Sequence, residues 1–204
     1  AVYRAAIAQA EGDVPQTIRH AELAGAAAPG DPFIQGASAG FIGLAAWAAG
    51  DLPRAIDTFR DAVVHMGAAG DVTDQLGATV VQAEMALSDG RVNDAKRLYQ
   101  RAIEAADQNQ AAAATIVADL HIGLAGVLVE HGQLDEARAE LQLARSLGES
   151  ASLQENRFRW HAVSAALLRA EGDLDGALDE LDTAERLYLP GFFPELRPFA
   201  ASKA

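Results

Sequence analysis

The sequence predicts an all-α protein, a solenoid of about five antiparallel helical hairpins with a period of about 40 residues. Two observations point to this fold. A glycine recurs at separations of 38, 40, 42 and 40 residues, and the same spacing of apolar residues follows each glycine. A regular period of this size is typical of stacked helical arrays. The recurring glycines are Gly12, Gly50, Gly90, Gly132 and Gly172.

An amphipathic helix is predicted after each of these glycines. In the second repeat, Leu52, Ala55, Phe59 and Ala62 lie two, five, nine and twelve positions after Gly50. Steps of three and four residues keep such side chains on one face of an α-helix. The residue twelve positions after the glycine is alanine in every repeat, namely Ala24, Ala62, Ala102, Ala144 and Ala184.

The residue after each glycine explains where these helices begin. Glycine readily adopts the positive φ that reverses the chain. The aspartate that follows Gly12, Gly50 and Gly172 can then cap the first backbone N–H groups of the helix. Arg91 and Gln133 are weaker caps, so we expect those two helix starts to fray.

A small residue seven positions before each glycine predicts a second helix that packs closely against the first. A small side chain there allows two antiparallel helices to approach across the short turn. Each repeat is therefore expected to be a helical hairpin. The small residues are Ala5, Gly43, Ala83, Ala125 and Ala165.

The hairpins are expected to stack into one domain over residues 1–189, because a single hairpin buries too few side chains to offset the entropy of ordering it. A Pro- and Phe-rich tail at 190–204 is expected to lead into a further repeat. Neither end carries a polar capping helix, so we expect the chain to be part of a longer protein or its ends to associate with another copy. Helices are predicted at 1–11, 14–27, 33–49, 52–67, 73–89, 92–108, 112–131, 134–147, 153–171 and 174–188.

Composition bounds the functional classes. Half of the 204 residues are hydrophobic, yet no run of about 18 apolar residues suggests a membrane span. The absence of cysteine excludes disulfides and thiolate chemistry and suits a reducing compartment. A net charge of −13 argues against gripping a nucleic-acid backbone. We therefore expect a cytoplasmic protein whose segment here contacts neither nucleic acid nor membrane.

Motifs for catalysis are also missing from the sequence. It contains no phosphate-binding glycine loop and no Gly-x-Ser-x-Gly nucleophile elbow. Its five histidines are never spaced four residues apart, as a helical metal site would require. The acidic residues are scattered and resemble a solvated helix face. We expect no enzyme activity, no metal and no cofactor in this segment.

The repeat pattern resembles the tetratricopeptide repeat, although the period of about 40 exceeds the usual 34 and implies longer helices or connectors. The resemblance implies a right-handed α-solenoid. With this period, the stretch from Ala184 to Pro198 looks like the superhelical sensor region of large ATP-dependent LuxR-type transcriptional activators, the class of the maltose-regulon activator.

What that resemblance implies is a regulatory module. The superhelix would bind a small effector or a regulatory protein or peptide, and binding would act on an NTPase and a helix-turn-helix DNA-binding domain in the same chain. Two alternatives stay open. One is a free-standing adaptor that holds a partner peptide in its groove, and the other is an enzyme with a helical-repeat body.

In such arrays the first helix of each hairpin lines the concave surface. Positions three, six and ten residues before each glycine, together with Asp119 and Arg159 one turn earlier, are then predicted to form a mostly apolar groove with charge at one end, suited to a helix, an extended peptide or a small amphipathic ligand. Trp47 is either inter-repeat core or a ligand platform, and Arg159 and Arg169 are either ion-pair partners or anion clamps. The candidate ligand-binding residues are Leu44, Trp47, Glu84, Asp119, Arg159 and Arg169.

Overall fold

The computed structural model describes residues 1–188 and Lys203, and every regular element in this part of the chain is helical. The predicted all-α, tetratricopeptide-like fold class is thereby confirmed in its helical content. The helices are α1 Val2–Ala10, α2 Val14–Ala27, α3 Pro32–Ala48, α4 Leu52–Ala69, α5 Val72–Ser88, α6 Val92–Gln108, α7 Gln110–Ala113, α8 Val117–Glu130, α9 Leu134–Leu147, α10 Arg157–Glu171 and α11 Leu174–Leu187, with 3-10 turns at Glu149–Ala151 and Gln154–Asn156.

The described chain divides into two compact units, residues 1–89 and residues 90–188 with Lys203. A single domain over residues 1–189 stays a prediction. The proposed tail at 190–204, apart from Lys203, lies outside the described residues.

All five turn glycines adopt the positive φ that the repeat pattern predicts, with values of 73°, 81°, 73°, 71° and 90° in chain order. The predicted aspartate caps are also present. Asp13 accepts a hydrogen bond from the backbone N–H of Gln16 at 3.0 Å, and Asp51 accepts one from Arg54 at 3.3 Å. The side chains of Arg91 and Gln133 make no capping hydrogen bond.

In the first unit, α1 pairs with α2 and α3 pairs with α4, while α5 packs against α4. A small residue at Gly43 is required where α3 meets α4, because a Cβ at Gly43 would overlap the ring of the buried Phe59. A hydrophobic core cluster joins α3, α4 and α5. Its members are Ala46, Trp47, Ala55, Phe59, Ala62, Val81 and Met85.

In the second unit, α8 pairs with α9 and α10 pairs with α11, while α6 packs against α8 and α10 also packs against α8 and α9. Tyr99 of α6 is fully buried, and a Cβ at Gly123 of α8 would overlap its ring. This overlap explains why residue 123 of α8 is a glycine, although glycine lowers the stability of a helix. It lies where an aromatic side chain of the neighbouring helix needs the space.

One predicted helix, 112–131, is divided in the structure into α7 and α8. Ile116 lies between these two helices, and its φ of −131° is outside the helical region. Its side chain is completely buried, and Ala113 is only 1% exposed. Burying an isoleucine contributes roughly 1.5–3 kcal/mol, which offsets the loss of one or two helical hydrogen bonds of about 1 kcal/mol each. Tertiary packing therefore overrides helical propensity here.

Among the other helices, two boundaries differ from the prediction by more than one residue. Helix α4 continues to Ala69 rather than ending at 67, and Gly70 closes it with φ of 73°. Helix α10 begins at Arg157 rather than at 153. The cause of the second difference is a buried carboxylate on α8, that of Asp119, which binds the residues before α10.

Candidate functional site

The predicted groove residues of the first unit lie on α3 and α5. Trp47 is only 5% exposed and belongs to the core cluster, so its indole leaves little surface for a ligand. Leu44 is half-buried and packs against the same cluster. Glu84 is half-buried on α5. In this unit, therefore, Leu44 and Glu84 retain more open surface than Trp47 does.

Asp119 and Arg159, the charged pair predicted at one end of the groove, are brought together in the second unit. Asp119 is completely buried and Arg159 is 7% exposed. The guanidinium donates to the Tyr99 hydroxyl oxygen at 3.1 Å and, more weakly, to the Asp119 carbonyl oxygen at 3.5 Å. This cluster links α6, α8 and α10 within the second unit.

The Asp119 carboxylate also holds the segment that precedes α10. It accepts hydrogen bonds from the Ser152 hydroxyl at 2.5 Å, the Leu153 backbone N–H at 3.1 Å and the Asn156 side-chain amide at 2.9 Å. Leu153 is thereby held in an extended conformation and Asn156 in a 3-10 turn, which is why α10 starts four residues later than its composition predicts.

Burial is the dominant influence on the acidity of Asp119. Desolvation raises the pKa of this carboxyl, because the charged form loses its hydration. The charge of Arg159 and the hydrogen bonds from Asn156, Ser152 and Leu153 oppose the rise without cancelling it. Since both charged groups are enclosed and internally bonded, a ligand could reach them only if the second unit rearranged.

Arg169, by contrast, lies exposed in the last turn of α10. Ala162 and Ala166, on the preceding turns of the same helix, are half-buried, as are Gly126 and Val129 of α8. A Cβ at Gly126 would lie 3.4 Å from Val163, so the two helices approach closely at that point. We call the predicted groove positions Gly126, Val129, Ala162, Ala166 and Arg169 the α8/α10 face. All of these residues except the exposed Arg169 are apolar, and Ala162 also packs against the core between α10 and α11.

Two buried or half-buried histidine–glutamate pairs were not found by sequence reasoning. His121 Nδ1 lies 2.7 Å from Glu140 Oε2, and His161 Nδ1 lies 2.6 Å from Glu180 Oε2. Each pair joins the two helices of one hairpin. The repeat spacing could have predicted both pairs. A histidine lies eleven residues before, and a glutamate eight residues after, both Gly132 and Gly172.

Trp160 is a second feature that spacing alone did not reveal. Its indole N–H donates to the Leu141 carbonyl oxygen at 3.1 Å, and the Arg145 guanidinium lies 5.2 Å from its ring centroid. The contact attaches α10 to the helix of the preceding hairpin. A cation over an indole ring contributes about 0.5–1 kcal/mol at a partly exposed site.

No grouping of three or more metal-binding side chains occurs among the described residues. None of the described helices is both long and apolar enough to cross a membrane.

Comparison with solved structures finds tetratricopeptide-like repeat proteins. BtubC from P. vanneervenii matches with a TM-score of 0.67 at 17% identity, covering 90% of this chain and 76% of that one. The nearly identical TPR-like repeats of a putative kinesin light chain from Podosopora anserina match with a TM-score of 0.62 at 18% identity, covering 91% of this chain and 92% of that one. A thermophilic TPR protein from Thermus thermophilus matches with a TM-score of 0.61 at 20% identity, covering 97% of this chain and 94% of that one.

At these identities the structural matches show the fold. No curated protein matches the chain. The family model described as the MalT-like TPR region matches residues 1–203. Stacked helical repeats present extended surfaces to partners, and this chain, a protein-interaction repeat module, belongs to the MalT-like TPR region family.

Proposed function

We propose that this chain is the sensor region of a bacterial LuxR-family transcriptional regulator. In this proposal, a small effector or a regulatory peptide binds to the surface formed by the first helix of each hairpin. Its binding controls an NTPase and a DNA-binding domain of the same protein. The observation that carries the proposal is the match of the MalT-like TPR family model to residues 1–203.

The α8/α10 face is the proposed ligand site. Half-buried alanine, glycine and valine residues offer an apolar surface from which a ligand displaces water, and the exposed Arg169 can donate hydrogen bonds to an anionic or hydrogen-bond-accepting group. A matching ligand is amphipathic, with an apolar body and one acceptor group. Leu44 and Glu84 are the corresponding candidates in the first unit.

Control of the distant domains would be a population shift. A ligand shifts the equilibrium between two conformational states only by the difference in its affinity for them. To change the ratio of their populations from 1:99 to 99:1, it must bind the favoured state about 10⁴-fold more tightly. Such a preference requires that the α8/α10 face differ between the states. The Asp119 and Arg159 cluster fixes α8 relative to α10, so it is the device that would hold one state.

Ligand binding is tested by a thermal-shift screen of the chain against small amphipathic anions and short acidic peptides. A hit that contacts Arg169 should lose about tenfold in affinity in Arg169→Ala, because one charge-assisted hydrogen bond is worth roughly 1.5 kcal/mol. Arg101→Ala, an exposed arginine on α6, is the matched control and should leave the affinity unchanged. Equal loss in both variants would place the ligand elsewhere and contradict the proposed site.

A further inference from the structure

The segment 152–156, which precedes α10, adopts a conformation that its own sequence does not favour. Its composition predicts a helix from residue 153, and Ser152-Leu153-Gln154-Glu155 has the Ser-x-x-Glu form that is typical of a helix N-terminus. In the structure Leu153 is extended, with φ of −64° and ψ of 144°, and α10 begins only at Arg157. The local signals for an earlier helix start are therefore present but unused.

The 3-10 turn in the 152–156 segment differs from an α-helix in its choice of hydrogen-bond acceptors. The Asn156 backbone N–H donates to the Leu153 carbonyl oxygen at 2.9 Å, and the Arg157 N–H donates to the Gln154 carbonyl oxygen. In an α-helix each N–H bonds to the carbonyl oxygen one residue further back. Conversion to an α-helix thus moves each bond by one residue and turns Leu153 from extended to helical.

Contacts with α8 hold the segment in its 3-10 form. The Asp119 carboxylate accepts hydrogen bonds from the Ser152 hydroxyl, the Leu153 N–H and the Asn156 side chain. Ala151, immediately before the segment, is 5% exposed and lies in a core cluster with Ile122 of α8. The serine that would cap a helix starting at Leu153 is therefore bound to a neighbouring helix instead.

The 3-10 form also leaves one buried polar atom unsatisfied. Asn156 is 2% exposed, and its side-chain Oδ1 has no hydrogen-bond partner among the described residues. A buried acceptor without a donor destabilises the conformation that buries it. Helix-forming sequence and this unpaired oxygen therefore oppose the three hydrogen bonds to Asp119.

We propose that the 152–156 segment is a two-state element, which becomes an additional turn of α10 when α8 and α10 move apart at Asp119. The bonds from Leu153 and Asn156 are 3.1 and 2.9 Å long, and a separation of about 1 Å breaks such bonds. Four added residues lengthen α10 by about 6 Å. A small change in helix spacing is thereby converted into a change in helix length. This conversion is a property of the second unit and does not depend on the proposed sensor function.

The test follows the backbone of residue 153 by its NMR ¹³Cα shift, measured against the random-coil value of the residue present. In Asp119→Ala the acceptor is lost, and the shift at Leu153 should change sign from extended to helical. Leu153→Pro should convert the segment as well. It keeps Asp119 and Arg159, removes the donor N–H, and places proline at the first helical position, where proline is favoured and where φ of −64° fits its ring.

Leu174→Pro is the matched control, because Leu174 already occupies the first position of α11. It should leave residue 153 extended, and conversion in this variant would overturn the proposal by showing that proline acts through general loosening. An extended residue 153 in folded Leu153→Pro would overturn it too. If Asp119→Ala does not fold, because Arg159 loses its buried neighbour, Leu153→Pro decides the question alone.

Discussion

Single small residues determine where the helices of this array can meet. Gly43 and Gly40 lie one turn apart in α3, but only Gly43 faces an aromatic ring. A Cβ at Gly40 would meet no atom within 4 Å. The two positions therefore separate the packing role of glycine from its entropic cost.

Gly43→Ala should lower the free energy of unfolding by about 1–3 kcal/mol, because the added methyl forces Phe59 out of its place. Gly40→Ala should raise it by about 0.4–1 kcal/mol, since the unfolded chain loses freedom and no clash arises. Urea unfolding followed by circular dichroism measures both. Equal effects of the same sign would show that Gly43 is not a packing constraint.

The buried carboxyl of Asp119 should make stability depend on pH. Its pKa is raised in the folded protein, so the folded state holds this proton more tightly than the unfolded state. The resulting contribution to stability is complete below the unfolded-state pKa of about 3.9 and is lost as pH rises through the folded-state value.

The free energy of unfolding, relative to that of Asp119→Asn, should therefore fall as pH is raised from about 3.9 through the folded-state pKa. Urea unfolding at a series of pH values measures the difference, and the variant cancels the titration of all other groups. A relative gain in stability over the same range would mean that Arg159 and the three hydrogen bonds outweigh burial.

Between elements, side-chain contacts decide where helices start and how hairpins close. The turns, the caps and the alternation of helices followed from glycine, aspartate and alanine spacing, because those signals are local. The divided helix at Ile116 and the late start of α10 did not follow, because the first reflects the burial of Ile116 in the folded protein and the second depends on a partner distant in sequence. The partner of Leu153 is Asp119, 34 positions away.

Removal of that partner should loosen the segment before α10. In Asp119→Ala the Leu153 amide should exchange with deuterium faster, since its hydrogen-bond acceptor is gone. The Ala177 amide, which donates to the Asp173 carbonyl oxygen within the last hairpin, should exchange as before. Unchanged exchange at Leu153 would show that another contact holds the segment.

The two histidine–glutamate pairs should each stabilise their hairpin. A double-mutant cycle of His121→Ala and Glu140→Ala should give a coupling energy of about 0.5–1.5 kcal/mol, the net value of one partly buried hydrogen bond. The cycle on His161 and Glu180 should give a similar value, because the pairs occupy equivalent repeat positions. Coupling near zero in both cycles would reduce the pairs to coincidental neighbours.

For the molecule as a whole, the repeat period indicates the fold far more strongly than it indicates a ligand. Alanine and glycine spacing reflects packing between helices, and packing is common to all members of such a class. Ligand contacts depend instead on which groove side chains stay open. The structure leaves Arg169 open and encloses Asp119 and Arg159, a distinction that sequence position alone did not make.

The central claim is that this repeat module senses a signal for other domains of the same protein. Reading the gene on both sides of the segment tests it most directly. The account predicts a nucleotide-binding loop of the form Gly-x-x-x-x-Gly-Lys-Ser/Thr upstream and a LuxR-type helix-turn-helix downstream. Stop codons close to both ends would contradict it and would favour a free-standing adaptor that binds a partner peptide.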